Sequence, residues 1–171
     1  MSFFRDSVMN DFFEKSTVKF IASEVEMELL GAQIARATVK SCILYLDGPL
    51  GAGKTVLARG YIRELGFLGP VKSPTFTLVE PYNFNNLVLN HFDLYRLEDP
   101  CELEFMGIED YFPPGANVII EWARKGLGVL PIPDLYIALD YHPQKDAREI
   151  SLVSGTDLGD EILLKMSGWQ E

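Results

Sequence analysis

The chain has 171 residues, 47 % of them hydrophobic, which is enough to bury a core in one compact domain. Its 15 basic and 25 acidic residues give a net charge of −10, which repels nucleic acid phosphates at long range and argues against an autonomous RNA or DNA binder. No apolar stretch approaches the length of a membrane span, and no linker, repeat or low-complexity tract interrupts the chain.

Residues 1–16 show no clean period and read as a flexible N-terminal extension, with a single domain over 17–171. The opening Met1-Ser-Phe-Phe-Arg-Asp6 lacks the basic-then-apolar order of a signal peptide. Thr17 to Ala22 predicts a short strand. Ser23-Glu-Val-Glu26 is a capping box that opens a helix, with Met27, Leu30, Ile34 and Ala37 on one face. Cys42-Ile-Leu-Tyr-Leu46 is a near-continuous apolar run, as expected of a strand covered on both sides. Cys42 and Cys101 are the only cysteines and lack metal-ligand spacing. Both are expected as small buried hydrophobes, in a reducing, cytosolic compartment.

The next eight residues, Gly48-Pro-Leu-Gly-Ala-Gly-Lys-Thr55, fit the phosphate-loop (P-loop) pattern of Gly, four residues, then Gly-Lys-Thr. A strand precedes them, and a helical pattern from Val56 to Leu65 follows, which is the context that the motif requires. Glycines let the backbone curl so that the N–H groups of Gly48, Leu50, Gly51, Ala52 and Gly53 can cradle phosphates. The helix start adds its unpaired N–H groups and the positive end of its dipole. Lys54 can reach the outer phosphates and the Thr55 hydroxyl can hold Mg²⁺. The motif predicts a protein that binds a nucleoside triphosphate.

The helix after the loop turns Ala58, Tyr61, Ile62 and Leu65 inward, and Gly66 is placed to end it. Val71 to Val79 reads as loop, then strand. Its Ser73-Pro-Thr75-Phe76 is either an ordinary Ser-Pro turn or a hydroxyl-rich segment that senses the terminal phosphate. Asn85-Asn86 predicts a tight hairpin, and Leu87 to Asp93 the returning strand. His91, in an apolar context, reads as a structural histidine. Asp99-Pro100-Cys-Glu102 predicts a helix start with Asp as cap and Pro in the first turn.

Asn117-Val-Ile-Ile-Glu121 reads as a buried strand ending in an acid. Leu135, Ile137, Leu139 and Tyr141 alternate as a half-exposed strand that Ile150 to Val153 can pair with, and Asp160 to Met166 predicts a closing helix. The fold expected is an α/β three-layer sandwich of the P-loop NTPase type, with a mostly parallel central sheet and antiparallel hairpin additions. In such a sheet the strand ends lie beside the phosphate loop. Glu121 and Asp93 are therefore the candidate carboxylates for Mg²⁺ or for orienting the attacking water, and with Lys54 they form the candidate catalytic set. Trp122 is either packed or in contact with nucleotide.

Four blocks, the phosphate loop, Val71-Lys-Ser-Pro-Thr-Phe-Thr-Leu-Val-Glu-Pro-Tyr82, His91-Phe-Asp-Leu-Tyr-Arg96 and Ile120-Glu-Trp122, together resemble the bacterial TsaE proteins, formerly called YjeE. The similarity runs from about Ser23 to about Val153. It implies an ATP- and Mg²⁺-dependent accessory ATPase for N6-threonylcarbamoyladenosine (t6A) at position 37 of tRNAs reading codons that begin with A. The group transfer itself is done by TsaD with TsaB, so tRNA is met through those partners. By position, Lys54 and Thr55 serve phosphate and Mg²⁺, Glu121 and Asp93 join the metal and water shell, and Thr75 lies in the switch-like loop. The resemblance puts Trp122 beside the nucleotide, as well as a residue around Glu24 and one around Lys145 or Arg148. Pro49 stands where the family usually has Asp, and Met27 where Thr is common. Pro49 fits if the N–H that it lacks is not one facing phosphate.

Three other readings compete. A small-molecule or nucleotide kinase usually places several arginines over the transferred phosphate, whereas Arg59, Arg63, Arg96, Arg124 and Arg148 are scattered. A GTPase would carry an Asn-Lys-x-Asp or Thr-Lys-x-Asp sequence, which is absent. A pure binding module would use nucleotide without needing its hydrolysis.

Overall fold

The structure, a computed structural model, describes residues 17–167 except 39, 85 and 145. The extension expected over 1–16 lies outside the described residues. In chain order the elements are β1 (Thr17–Ile21), α1 (Glu24–Ala37), β2 (Ile43–Asp47), α2 (Lys54–Glu64), β3 (Val79–Phe84) and β4 (Leu87–Asp93). They continue with α3 (Cys101–Phe105), β5 (Asn117–Glu121), β6 (Leu135–Tyr141), β7 (Arg148–Ser154) and α4 (Asp157–Ser167).

Local sequence explains the element ends. Ser23 caps α1, its hydroxyl accepting from Glu26 N at 3.2 Å, and the Glu26 carboxylate in turn accepts from Ala22 N at 2.8 Å. Gly66 (φ 107) closes α2: its N–H goes to Arg63 O, and Phe67 N goes to Ile62 O, the paired bonds of a Schellman stop. At α3 the assigned cap is Pro100 rather than Asp99, but the Asp99 carboxylate supplies the capping bond, accepting from Cys101 N at 2.9 Å.

The strands form one sheet in the order β1-β7-β6-β2-β5-β4-β3. Strands β6, β2, β5 and β4 are mutually parallel, while β3 and β7 run antiparallel to their neighbours and β1 is antiparallel to β7. This is the expected mixed α/β sandwich. One face is covered by α1, α2 and α4, whose Leu30, Ile34, Leu57, Tyr61 and Ile162 pack on Leu44, Leu46, Ile119 and Ile137. The other layer is thin: α3 and the 3₁₀ turns Ile108–Tyr111 and Ala123–Gly126 lay Leu103, Ile108 and Ala123 over Tyr45, Phe92, Val118 and Ile120.

Two expectations change. Strand β6 is not half-exposed, because Tyr136 is buried against the second layer while Leu135, Ile137 and Leu139 fill the first. Cys42 is buried but Cys101 is exposed, since it opens a helix whose inner face is carried by Leu103. Among the described residues no helix is long and apolar enough to cross a membrane.

Candidate functional site

Strand β2 delivers the chain to the phosphate loop in the middle of the parallel strands, between β5 and β6. The loop needs its glycines here for two separate reasons. Gly48 (φ 149) passes so close to β6 that a Cβ would stand 2.1 Å from Leu139 O, and Gly53 (φ 107) takes a left-handed turn into α2. Met27 of α1, the family departure noted above, packs its methyl group 3.2 Å from where a Gly53 Cβ would be. Pro49 contributes a carbonyl, accepting from Ala52 N at 3.2 Å and from Lys54 Nζ at 2.9 Å.

Lys54 is buried and folded back on the loop. Nζ donates to Gly48 O at 2.7 Å as well as to Pro49 O, and lies 3.9 Å from the centre of the Trp122 ring. Burial lowers its pKa, and the nearby carboxylates of Glu121, Asp47 and Asp93 oppose that.

The candidate acids meet the loop as strand register requires. Asp93 and Glu121 are register partners at the C-terminal ends of β4 and β5, and Leu46 at the end of β2 pairs with Glu121. Both carboxylates are buried. The Thr55 hydroxyl donates to Glu121 Oε2 at 3.0 Å, and His91 Nε2 lies 2.9 Å from Glu121 Oε1. Asp93 Oδ2 accepts from the hydroxyls of Ser73 and Thr75, the latter at 2.7 Å, while Oδ1 takes Tyr95 N at 2.9 Å. The Ser73-Pro-Thr75 segment is therefore no free-standing turn, because two of its side chains are tied to a candidate metal acid. Trp122 (φ 59) and Leu78 (φ 68) sit in the left-handed region beside the acids, and Leu78 O accepts from Asp93 N at 3.0 Å. Non-glycine residues held there cost about 1–3 kcal/mol each and gather at functional sites.

Besides a cavity of ≈ 250 Å³ walled by Asp47, Gly48, Pro49, Trp122 and Arg124, two more flank the loop. One, of ≈ 360 Å³, brings together Leu50, Gly51, Gly53, Lys54, Thr55, Ser73, Thr75, Asp93, Glu121 and Trp122, so nearly all the residues expected around the phosphates face one space. The other, of ≈ 220 Å³, is walled by Ser23, Glu24, Met27, Gly51–Gly53, Val56, Asp146 and Arg148. It joins the β1–α1 junction to the hairpin after β6, so Glu24 and Arg148 do converge beside the loop. Glu24 also pairs with Arg59 of α2. Lys145 lies outside the described residues. Tyr141 O–H donates to Leu50 O at 2.9 Å and steadies the loop from β6, a contact that its place in an alternating strand did not reveal.

The donor set suits a nucleotide-borne Mg²⁺. Such an ion keeps several waters and takes one or two carboxylates beside the phosphates. Thr55, Glu121 and Asp93 offer one hydroxyl and two carboxylates on the α2 side of the sheet.

A family profile described as "Threonylcarbamoyl adenosine biosynthesis protein TsaE" matches residues 21–150. The chain belongs to the TsaE family. It is 46 % identical over 158 residues to the tRNA threonylcarbamoyladenosine biosynthesis protein TsaE of Haemophilus influenzae, covering 90 % of this chain and 99 % of that one. The protein of the same name from Bacillus subtilis is 39 % identical over 112 residues, 66 % of this chain and 69 % of its own. The crystal structure of Bacillus subtilis YdiB superposes with a TM-score of 0.77 at 27 % identity, covering 92 % of this chain and 97 % of the other.

Proposed function

We propose that this protein binds and hydrolyses ATP with Mg²⁺ in the cytoplasm, in the service of t6A formation at position 37 of tRNAs that read codons beginning with A. In this reading it is an accessory factor that resets a TsaD–TsaB transferase complex between turnovers. Membership of the TsaE family supports the pathway. The observation that carries the enzymatic part is the Thr55–Glu121 bond at the foot of the phosphate loop, with Asp93 level with Glu121 on the next strand.

The geometry supports the following roles. Lys54 leaves its two carbonyl partners to neutralise the outer phosphates. The backbone of Gly48, Leu50, Gly51, Ala52 and Gly53 cradles them, and Trp122 covers them. Thr55, Glu121 and Asp93 would hold Mg²⁺, which would supply positive charge to offset that of the phosphates. A carboxylate that is left free orients water. Ser73 and Thr75 report on the state of Asp93, and the base occupies the cleft of Glu24 and Arg148.

None of the five arginines that a kinase would gather lines the cavity of Lys54, Thr55 and Asp93. Arg59 and Arg63 are paired with Glu28, Arg96 stacks on Phe76, Arg124 meets Asp47, and Arg148 lies over Tyr141. This favours hydrolysis over transfer to a second substrate.

The deciding experiment is ATP hydrolysis by the purified protein, alone and with TsaB and TsaD. The expected result is a low basal rate that rises only with both partners. A rate indifferent to them removes the proposed complex. Lys54→Ala should reduce hydrolysis to background, and an undiminished rate would show that the loop is not the phosphate site. Glu121→Gln should keep nucleotide binding but lose partner-dependent function; if function persists, binding without turnover is what matters.

A further inference from the structure

His91 is fully buried, yet the roles given above leave its ring chemistry unused. It stands two residues before Asp93 on β4, so strand alternation places both side chains on the α2 face of the sheet. Nε2 lies 2.9 Å from Glu121 Oε1, while the other carboxylate oxygen takes the Thr55 hydroxyl at 3.0 Å. Glu121 is thus gripped through both oxygens, by β4 on one side and by the first turn of α2 on the other.

Facing a carboxylate oxygen, which only accepts, Nε2 carries the hydrogen of this bond. Nδ1 is buried and has no hydrogen-bond partner among the described residues. An unsatisfied buried polar atom costs about 1–3 kcal/mol. A side chain kept only to fill space would avoid that cost as Phe or Leu, so the ring is explained by its other nitrogen.

We infer that His91 is a positioning residue: its Nε2–H bond fixes the Glu121 carboxylate so that Oε2 stays turned to Thr55. The inference rests on the proposed reading of Thr55 and Glu121 as the metal shell. Hydrogen bonds of this kind to a ligating group are worth about 10–100-fold in metal affinity.

Two variants of similar polarity separate the bond from mere packing. In His91→Gln the amide N–H can occupy the place of Nε2–H. In His91→Asn it matches Nδ1 and falls short of Glu121. For each, ADP binding is measured by calorimetry across a Mg²⁺ titration and again in a chelator, together with the thermal unfolding of the nucleotide-free protein. The expected result is that His91→Asn raises the half-saturating Mg²⁺ concentration about tenfold or more, while His91→Gln stays close to wild type. Metal-free nucleotide binding should be unchanged in both.

The inference is overturned if both variants keep the wild-type Mg²⁺ dependence. It is equally overturned if both lose metal-free binding along with thermal stability, which marks a purely structural residue. Should His91→Asn not fold, His91→Phe takes its place, filling the same space without an N–H: it should raise the Mg²⁺ half-point as stated for His91→Asn, and a wild-type half-point counts against the inference. A wild-type protein whose nucleotide binding ignores Mg²⁺ defeats the metal reading itself, before any variant is made.

Discussion

Asp47, the last residue of β2, has its carboxylate buried behind the phosphate loop. It accepts from Arg124 N at 3.2 Å, and its own Oδ2 lies 3.9 Å from Arg124 Nε. Burial pushes its pKa up to about 6, although Tyr136, Arg124 and Lys54 pull the other way. A carboxyl raised in the folded state favours folding while protonated, so this contribution is complete below about pH 4 and is lost as pH rises through about 6. Asp47→Asn should therefore leave stability unchanged in acid and raise it by roughly 2–3 kcal/mol above neutrality, as read from urea unfolding at several pH values. A gain independent of pH would place its origin elsewhere. At this scale the sequence was uneven as a guide. Lys54, Thr55, Asp93 and Glu121 could be read because a motif and two strand ends announce them. The bond from His91 to Glu121 could not, because it needs the register between β4 and β5, although the parity of His91 and Asp93 on one strand was a usable signal. Cys101 misled because a cysteine in the first turn of a short helix carries no periodicity to show which way it faces.

Helices α1 and α2 approach each other at two glycines. A Cβ on Gly31 would stand 2.1 Å from Leu57 O, and one on Gly60 would stand 2.0 Å from Glu28 O. The two backbones therefore touch with nothing between them. Glu28 also receives the half-buried Arg59 at 2.5 Å and the exposed Arg63 at 3.1 Å, but surface pairs of this kind are worth about 1 kcal/mol or less. Gly60→Ala would have to push the helices apart, at a cost of about 1–3 kcal/mol from overpacking. Glu28→Gln should be nearly neutral. Denaturant midpoints of the two variants test that ranking, and the reverse order would make the ion pairs the true fastening. Caps and stops such as Ser23 and Gly66 were legible because the needed chemistry sits within four residues. The thin second layer was not, since a helix of five residues and two 3₁₀ turns are too short to establish a period. Strand β6 looked half-exposed because Tyr136 and Asp140 alternate with its aliphatic residues, yet Tyr136 is buried by packing from elsewhere in the chain.

Taken whole, the molecule carries a charge of −10 around the strand-end crevice proposed to take polyphosphate. Long-range repulsion and a local phosphate site are compatible, because screening confines the first to about 8 Å at physiological salt while the second works by direct contact. The isolated protein should therefore give no salt-sensitive gel shift with tRNA, and tight binding that weakens steeply with salt would show that it engages the nucleic acid directly. The sheet order adds a second long-range feature. Among the described residues, strand β1 is joined to the sheet through β7 alone, yet residues 21–24, where the chain leaves it, wall the cleft beside residues 51–53. Peripheral strands open early in native-state hydrogen exchange, and opening here would dismantle that wall without disturbing the strands behind Lys54. Filling the cleft would thus slow amide exchange at the outermost strand, making the margin of the sheet a clock for the occupancy of its centre.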